Sequence, residues 1–289
     1  MKKKIIVTAF SNLTTDQRIE KVCKTLHDNG YVIELIGCNY GCNQEVKREY
    51  TVEKINLISK SLKTAYFEFN WKLYQKLLNK SFENTVLLTN DLDTLLPNFL
   101  LSKKKKIPLV FDSHEIFTEM PAIQGKISQK IWRFAENKML PHIEFMMTES
   151  ESYAKWFHEK YNVTPVVVRN IPKKLPLQEK TLTQNPKIIL YQGAINPSRG
   201  IDKAILAMKF IENANLIIVG DGPMRKKYEA FAVSNHLAHK VQFLGKKRPS
   251  ELRTITQKAN VGISLEENNG VSYYYSLPNK VADYIQARV

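Results

Sequence analysis

Three cysteines, Cys23, Cys38 and Cys42, are all that the 289 residues contain. They are too few for a disulfide framework, and no set of cysteines and histidines has the spacing of a zinc site. Both staples of small secreted domains are thereby excluded, and a cytoplasmic chain is expected. Also missing is any apolar run near the roughly 20 residues that a membrane-spanning helix needs. The basic opening, MKKKIIVTAF, is followed at once by Asn12, Thr14, Thr15 and Asp16. That leaves too short an apolar part for a signal peptide, and the segment reads as a first strand. No recognised nucleic-acid motif accompanies the basic excess of the chain.

What the chain does hold is the composition of an ordinary soluble protein, 43% hydrophobic and 25% charged, with a formal charge of +15. Its length exceeds what one hydrophobic core usually supports, so two domains are expected. The charge asks for anionic partners: a nucleotide, a phosphorylated substrate, an acidic membrane surface or nucleic acid. Residues 173–289 carry 18 Lys and Arg against 9 Asp and Glu, and residues 1–172 carry the remaining 25 against 19. Spread over both halves, the excess is not a nucleic-acid-binding tail, and no nucleic-acid partner is expected.

Lys4 to Phe10 is an apolar strand. Thr14-Thr15-Asp16-Gln17 supplies a helix start of the capping-box kind, Ile19, Val22 and Leu26 share one face, and Asn29-Gly30 ends the helix before a second strand, 31–37. Strand, helix, strand implies a parallel sheet. Residues 41–60 are polar and show no clear pattern. The alternation then resumes with helix 65–78, strand 85–89, a short helix to Leu101, strand 109–111, helix 126–140, strand 144–148, helix 151–161 and strand 163–168. Residues 173–187, with two prolines and little pattern, form the natural linker. Beyond it, strands 188–191, 216–219, 241–244 and 261–264 alternate with helices 201–212, 224–234 and 250–258. An α/β protein results, with parallel-sheet domains over 1–172 and 188–289 and a cleft between them.

Within the second half, KIILYQGAINPSRG (187–200) reads as a buried strand, a turn at Gly193, a loop carrying Arg199-Gly200 and a helix start near Ile201. Free amides and the helix dipole favour an anion in such a loop, and Arg199 adds a fixed cation. Alone the pattern is weak, because most strand-loop-helix units bind nothing. In the first half, two strands end in Asn90-Asp91-Leu92-Asp93 and Asp112-Ser113-His114-Glu115. The carboxyl ends of strands in open α/β sheets line the ligand crevice. A lone Asp there is more often a helix cap. His114 is the better candidate, lying one residue beyond an apolar strand and between two acids that could fix its tautomer; a purely structural histidine is the alternative. Helix 126–140 sets Ile127, Ile131, Phe134 and Met139 at helical spacing, with Lys126, Lys130, Arg133 and Lys138 between them. It can pack on the sheet, the preferred reading, or lie on an anionic membrane. With Lys103 to Lys106 it motivates an expected peripheral association with the inner face of a membrane.

Taken together, these segments resemble the family 4 glycosyltransferases, retaining enzymes with the two-domain GT-B fold, and in particular the bacterial branch that makes surface polysaccharides. The resemblance rests on Thr15-Asp16-Gln17-Arg18-Ile19, Asp112-Ser113-His114-Glu115, Val168-Arg169-Asn170-Ile171-Pro172, Tyr191-Gln192-Gly193 with Arg199-Gly200, Ile218-Val219-Gly220-Asp221-Gly222-Pro223, Phe243-Leu244-Gly245, and Ser276-Leu277-Pro278-Asn279-Lys280 with Asp283-Tyr284. It covers nearly the whole chain. It implies two Rossmann-like domains facing a cleft, the second binding a nucleotide-sugar donor and the first a glycan or lipid-linked acceptor, with no cofactor and no metal. By this resemblance the catalytic residues are His114, Arg199 and Lys280. The donor-binding residues are Gly193, Arg199, Gly200, Gly220, Glu266, Glu267, Lys280 and Asp283. Asp16, Arg18, Asp91 and Glu115 fall on the acceptor side.

The chain departs from the family at three points. Ala194 stands where many relatives have an arginine, and Tyr275 falls near the first glutamate of a paired-glutamate motif whose second member Asp283 replaces. The sequence also stops at Val289, where the family continues into further elements, so the second domain is expected to be incomplete. Two other readings follow: a non-catalytic GT-B fragment acting only as a binding module, and a sugar-nucleotide epimerase, which lacks support because the extra acid/base residues it needs are not seen.

Overall fold

The computed structural model describes residues 2–289 apart from Thr15, Asn43, Lys173, Leu175 and residues 177–184. Most of the expected linker therefore lies outside the described residues. Contacts divide the chain into one unit of Met1–Glu119 with Ile123–Arg169 and a second of Asn170–Val289 with Met120–Ala122.

The first unit runs β1 (Lys4–Thr8), α1 (Gln17–Asp28), β2 (Val32–Cys38), β3 (Thr51–Ile55), α2 (Leu62–Leu78), β4 (Thr85–Asn90), α3 (Leu92–Lys105), β5 (Leu109–Ser113), α4 (Ile127–Met139), β6 (Phe145–Thr148), α5 (Glu151–Tyr161) and β7 (Val166–Val167). Its seven strands are ordered β3-β2-β1-β4-β5-β6-β7, and every pair is parallel. The central strands are near-continuous apolar runs because helices cover both faces of the sheet. β3, in the stretch without a clear pattern, is an edge strand paired only to β2. It carries Glu53, which pairs with Lys76 and Lys80, and an edge tolerates such charge where a central strand does not. α1 is capped by Asp16, whose side chain accepts the Ile19 amide; Thr15 lies outside the described residues.

One preference is reversed. Ile127, Ile131 and Phe134 of α4 do not pack on the sheet but are 78%, 63% and 66% exposed. The buried side of the helix holds Gln129, Glu136 and Met139, with Trp132 against Phe117 and Tyr66. Gln129 donates to the Thr118 carbonyl, and Glu136 accepts from the hydroxyls of Thr118 and Tyr161. Partners supplied by other elements make burial of the polar side affordable and leave the apolar side outward.

The second unit runs β8 (Lys187–Gln192), α6 (Ile201–Ala207), β9 (Ala214–Val219), α7 (Arg225–Ser234), β10 (Val241–Gly245), α8 (Pro249–Lys258), β11 (Val261–Gly262), α9 (Val271–Tyr274) and α10 (Asn279–Ala287). The sheet order is β10-β9-β8-β11, again all parallel. α6 stops five residues before the expected Glu212, because the amides of Met208, Lys209 and Phe210 bond three residues back and tighten the chain into turns. β11 is shorter than expected. Gly262 leaves room for the Tyr284 ring, which a Cβ would approach within 2.5 Å. The Tyr284 hydroxyl accepts the Gln192 amide and lies 3.1 and 3.2 Å from the carbonyls of Leu190 and Ile263. A phenol from α10 thus continues the pairing of β8 and β11 where the ladder ends. In each sheet the order reverses beside the first strand, between β1 and β4 and between β8 and β11, and the carboxyl ends there are where open α/β sheets bind ligands.

Candidate active site

In the first unit, β4 and β5 deliver Asp91, Asp112 and His114 to one place. The His114 amide donates to Asp91 Oδ1 at 2.8 Å. Nδ1 of its ring lies 3.2 Å from Asp91 Oδ2, and Nε2 lies 3.1 Å from Asn90 Oδ1 and 3.4 Å from Asp112 Oδ2. Both nitrogens therefore face acceptors, as an imidazolium requires. Burial alone would lower the pKa of His114, but the Asp91 and Asp112 carboxylates outweigh it and raise it to about 9. Asp91 holds a left-handed backbone, φ 58°, strain of about 1–3 kcal/mol that clusters at functional sites. His114 is thus expected to stay protonated through neutral pH. Its contribution to stability is present in full below its ordinary value near 6.5 and lost as pH rises through about 9. A pH titration of the ring Cε1 proton by NMR checks this, and a midpoint at or below 7 would contradict it.

The expected acceptor-side residues divide. Arg18 is turned inward: only 5% exposed, it donates twice to Asp112, at 3.1 and 2.5 Å, and once to the Val168 carbonyl. Its charge is spent on the buried Asp112, whose carboxyl is held below its ordinary pKa against burial by His114 and Arg18. Asp16 is engaged as the α1 cap. Asp91 holds His114, and Glu115 stands beside it, half-buried. Sequence reasoning missed Glu149, at the end of β6, whose carboxyl burial pushes up to about 7. It passed over Asp93, which burial also raises well above the carboxylate range. The signal for Glu149 was available, since a third strand end carries an acid.

In the second unit the loops after β8 and β11 are laced together. The Glu267 amide donates to the Ser198 carbonyl, and Gly200 fits so closely that a Cβ would stand 2.5 Å from the Leu265 carbonyl oxygen. Gly193, with φ 138°, donates its amide to Val219. Gly220 packs backbone to backbone on it, with the Gly193 oxygen where a Cβ would be.

This frame converges two cations on one atom. Glu266 Oε1 lies 3.0 Å from Arg199 Nη1 and 2.5 Å from Lys280 Nζ. Arg199 lies over the Tyr273 ring, 4.1 Å from its centroid, and Lys280 over the Tyr191 ring at 4.3 Å. Arg199 Nε is buried and has no partner among the described residues. Burial lowers the pKa of Lys280 even beside Glu266. Burial would raise that of Glu266, but its bonds to Lys280 and Ser264 hold it below the ordinary value. Glu267 is engaged instead by Lys203 and Asn269. Asp283 Oδ2 accepts Gln192 Nε2 at 2.9 Å, and Gln192 Oε1 accepts the Thr256 hydroxyl. Gln192 and the tyrosines 191, 273 and 284 belong to this site and were not singled out for it. The Tyr273-Tyr274-Tyr275 run was the available signal. The arrangement sets two cations against one carboxylate oxygen beside loops closely packed at Gly193, Gly200 and Gly220.

Residues 174–271 match the family described as "Glycosyl transferases group 1", so the chain carries a glycosyltransferase domain. An uncharacterized glycosyltransferase of Methanocaldococcus jannaschii, MJ1178, is 38% identical over 71 residues, which cover 25% of this chain. The match spans only about a fifth, 20%, of that relative's length. Among solved structures, the sucrose-phosphate synthase of Thermosynechococcus elongatus superposes with a TM-score of 0.79 at 16% identity, over 99% of this chain and 79% of that one. Anabaena HepE, solved in complex with UDP-glucose, gives a TM-score of 0.70 at 13% identity, over 98% and 78%. The fold is GT-B, with two Rossmann-like parallel-sheet units.

Proposed function

We propose that this chain is a retaining glycosyltransferase that moves a sugar from a nucleotide-sugar donor to a hydroxyl of a glycan or lipid-linked acceptor in surface polysaccharide synthesis, in the cytoplasm and without a metal or cofactor. The observation that carries the reading is the convergence of Arg199 and Lys280 on one Glu266 oxygen, with Arg199 and Glu266 inside the matched residues 174–271 and Lys280 just beyond them. A buried lysine and a half-buried arginine beside glycine loops suit a diphosphate. As the glycosidic bond breaks, negative charge grows on the departing phosphate, and preorganised cations lower the cost of that charge. Asp283 is the proposed ribose ligand. Protonated His114 is the proposed positioning group for the transferred sugar; a ring nitrogen that turns to a sugar hydroxyl leaves one of the acceptors named above.

Calorimetric titration of the full chain with UDP, GDP and ADP tests the reading. Binding of one of them at submillimolar concentration is expected, and absence of all binding at millimolar concentration would sink it. Binding with no sugar released from any corresponding nucleotide sugar would favour the non-catalytic module.

A further inference from the structure

We infer that the face built by α3 and α4 docks the chain on an anionic lipid surface. On α4, Ile127, Ile131, Phe134 and Lys138 recur at intervals of three and four residues along one side, and all four are exposed. The neighbouring helix α3, which packs against α4, presents Leu96, Leu100 and Lys103 outward in the same way. Surface apolar residues are ordinarily scattered; two helices in contact, each with an exposed apolar row, are the kind of surface that marks an interaction face. The rows cannot be hidden by rolling α4, because its opposite side is held by the buried bonds of Gln129 and Glu136.

Charge selects the occupant. The only acids on the two helices, Asp93 and Glu136, are buried, whereas Lys103, Lys104, Lys105, Lys106, Lys130 and Lys138 are exposed. None of these six is in an ion pair among the described residues. Each lysine near an anionic leaflet adds attraction, and an apolar row on a basic helix inserts at the headgroup boundary. Beside the end of α3 a groove of about 320 Å³ is lined by Phe99, Lys103, Lys106, His142, Glu144 and Phe145, with lysines placed to meet phosphate and aromatic rings to meet acyl chains. A second copy of the chain would bring the same lysines against one another.

Cosedimentation with vesicles tests the inference. The full chain is expected to bind vesicles of phosphatidylcholine mixed with phosphatidylglycerol at low salt, to bind pure phosphatidylcholine weakly, and to dissociate as salt is added. The double variant Ile131→Glu, Phe134→Glu changes only exposed positions and is expected to keep the wild-type circular dichroism and melting temperature while losing about tenfold or more of the partitioning. Lys103→Gln with Lys106→Gln is expected to weaken binding and flatten its salt dependence. Undiminished binding by the Glu variant would overturn the inference. So would a wild-type dimer in solution that this variant dissociates, with no vesicle binding by either protein. Neither result bears on nucleotide binding, so the inference stands or falls apart from the proposed activity.

Discussion

Replacement of Arg199 by alanine is expected to lower kcat about 10²–10³-fold, the usual loss when one donor to a developing negative charge is removed. The reason lies in the count of charges. Arg199, Lys280 and Glu266 together carry one net positive charge. Without the guanidinium, the carboxylate neutralises the remaining lysine, 2.5 Å away, and the loop meets a departing diphosphate with none. Arg199→Lys is expected to fall between, since it restores a point charge but not the flat stacking on Tyr273. Steady-state release of nucleoside diphosphate measures both variants. Parallel falls in kcat and kcat/KM are expected, because the interaction strengthens as the bond breaks. An unchanged kcat in Arg199→Ala would remove the residue from this role.

Gly220→Ala is expected to cost about 3 kcal/mol or more, with a melting temperature lower by on the order of 10 °C. Two causes add. The φ of 147° is one that side chains rarely adopt, and the new Cβ would lie 1.8 Å from the Gly193 oxygen and 2.9 Å from its carbon. Those atoms are main chain, next to a Gly193 amide bonded to the Val219 carbonyl, so they cannot swing aside as a side chain would. Gly193→Ala is the control: its φ of 138° is equally unfavourable, but the nearest atom to an added Cβ is the Tyr191 hydroxyl at 3.7 Å. Calorimetric melting of both variants separates strain from collision, and equal shifts would show that the collision contributes nothing.

Signals confined to a few neighbouring residues were legible in the sequence. Apolar runs such as Ile188 to Tyr191, followed by glycine and a helix start, marked the parallel strands and the loop after β8, because burial on both faces leaves a continuous apolar run. Edge strand β3 escaped, since one-sided pairing lets charge into it. The pairings that complete the site were not legible at all. Arg18 meets Asp112 across 94 positions, and Gln192 meets Asp283 across 91; no local pattern encodes either. α4 shows the boundary. Its periodicity found the apolar row, but which side turned inward depended on Thr118 and Tyr161, supplied from elsewhere.

If the loop after β8 holds the donor diphosphate as proposed, the carboxylate of Glu266 gives it a form of selectivity. Before any ligand arrives, this side chain already plays the part of the anion, so an incoming ion competes with a tethered rival rather than filling an empty charge. A chloride brings one charge and no geometry, and gains little by the exchange. A diphosphate brings more charge and several oxygens that can reach both cations and the buried Arg199 Nε together. On that reading the glutamate acts as a threshold, expected to leave the loop indifferent to monovalent anions and responsive to polyanions.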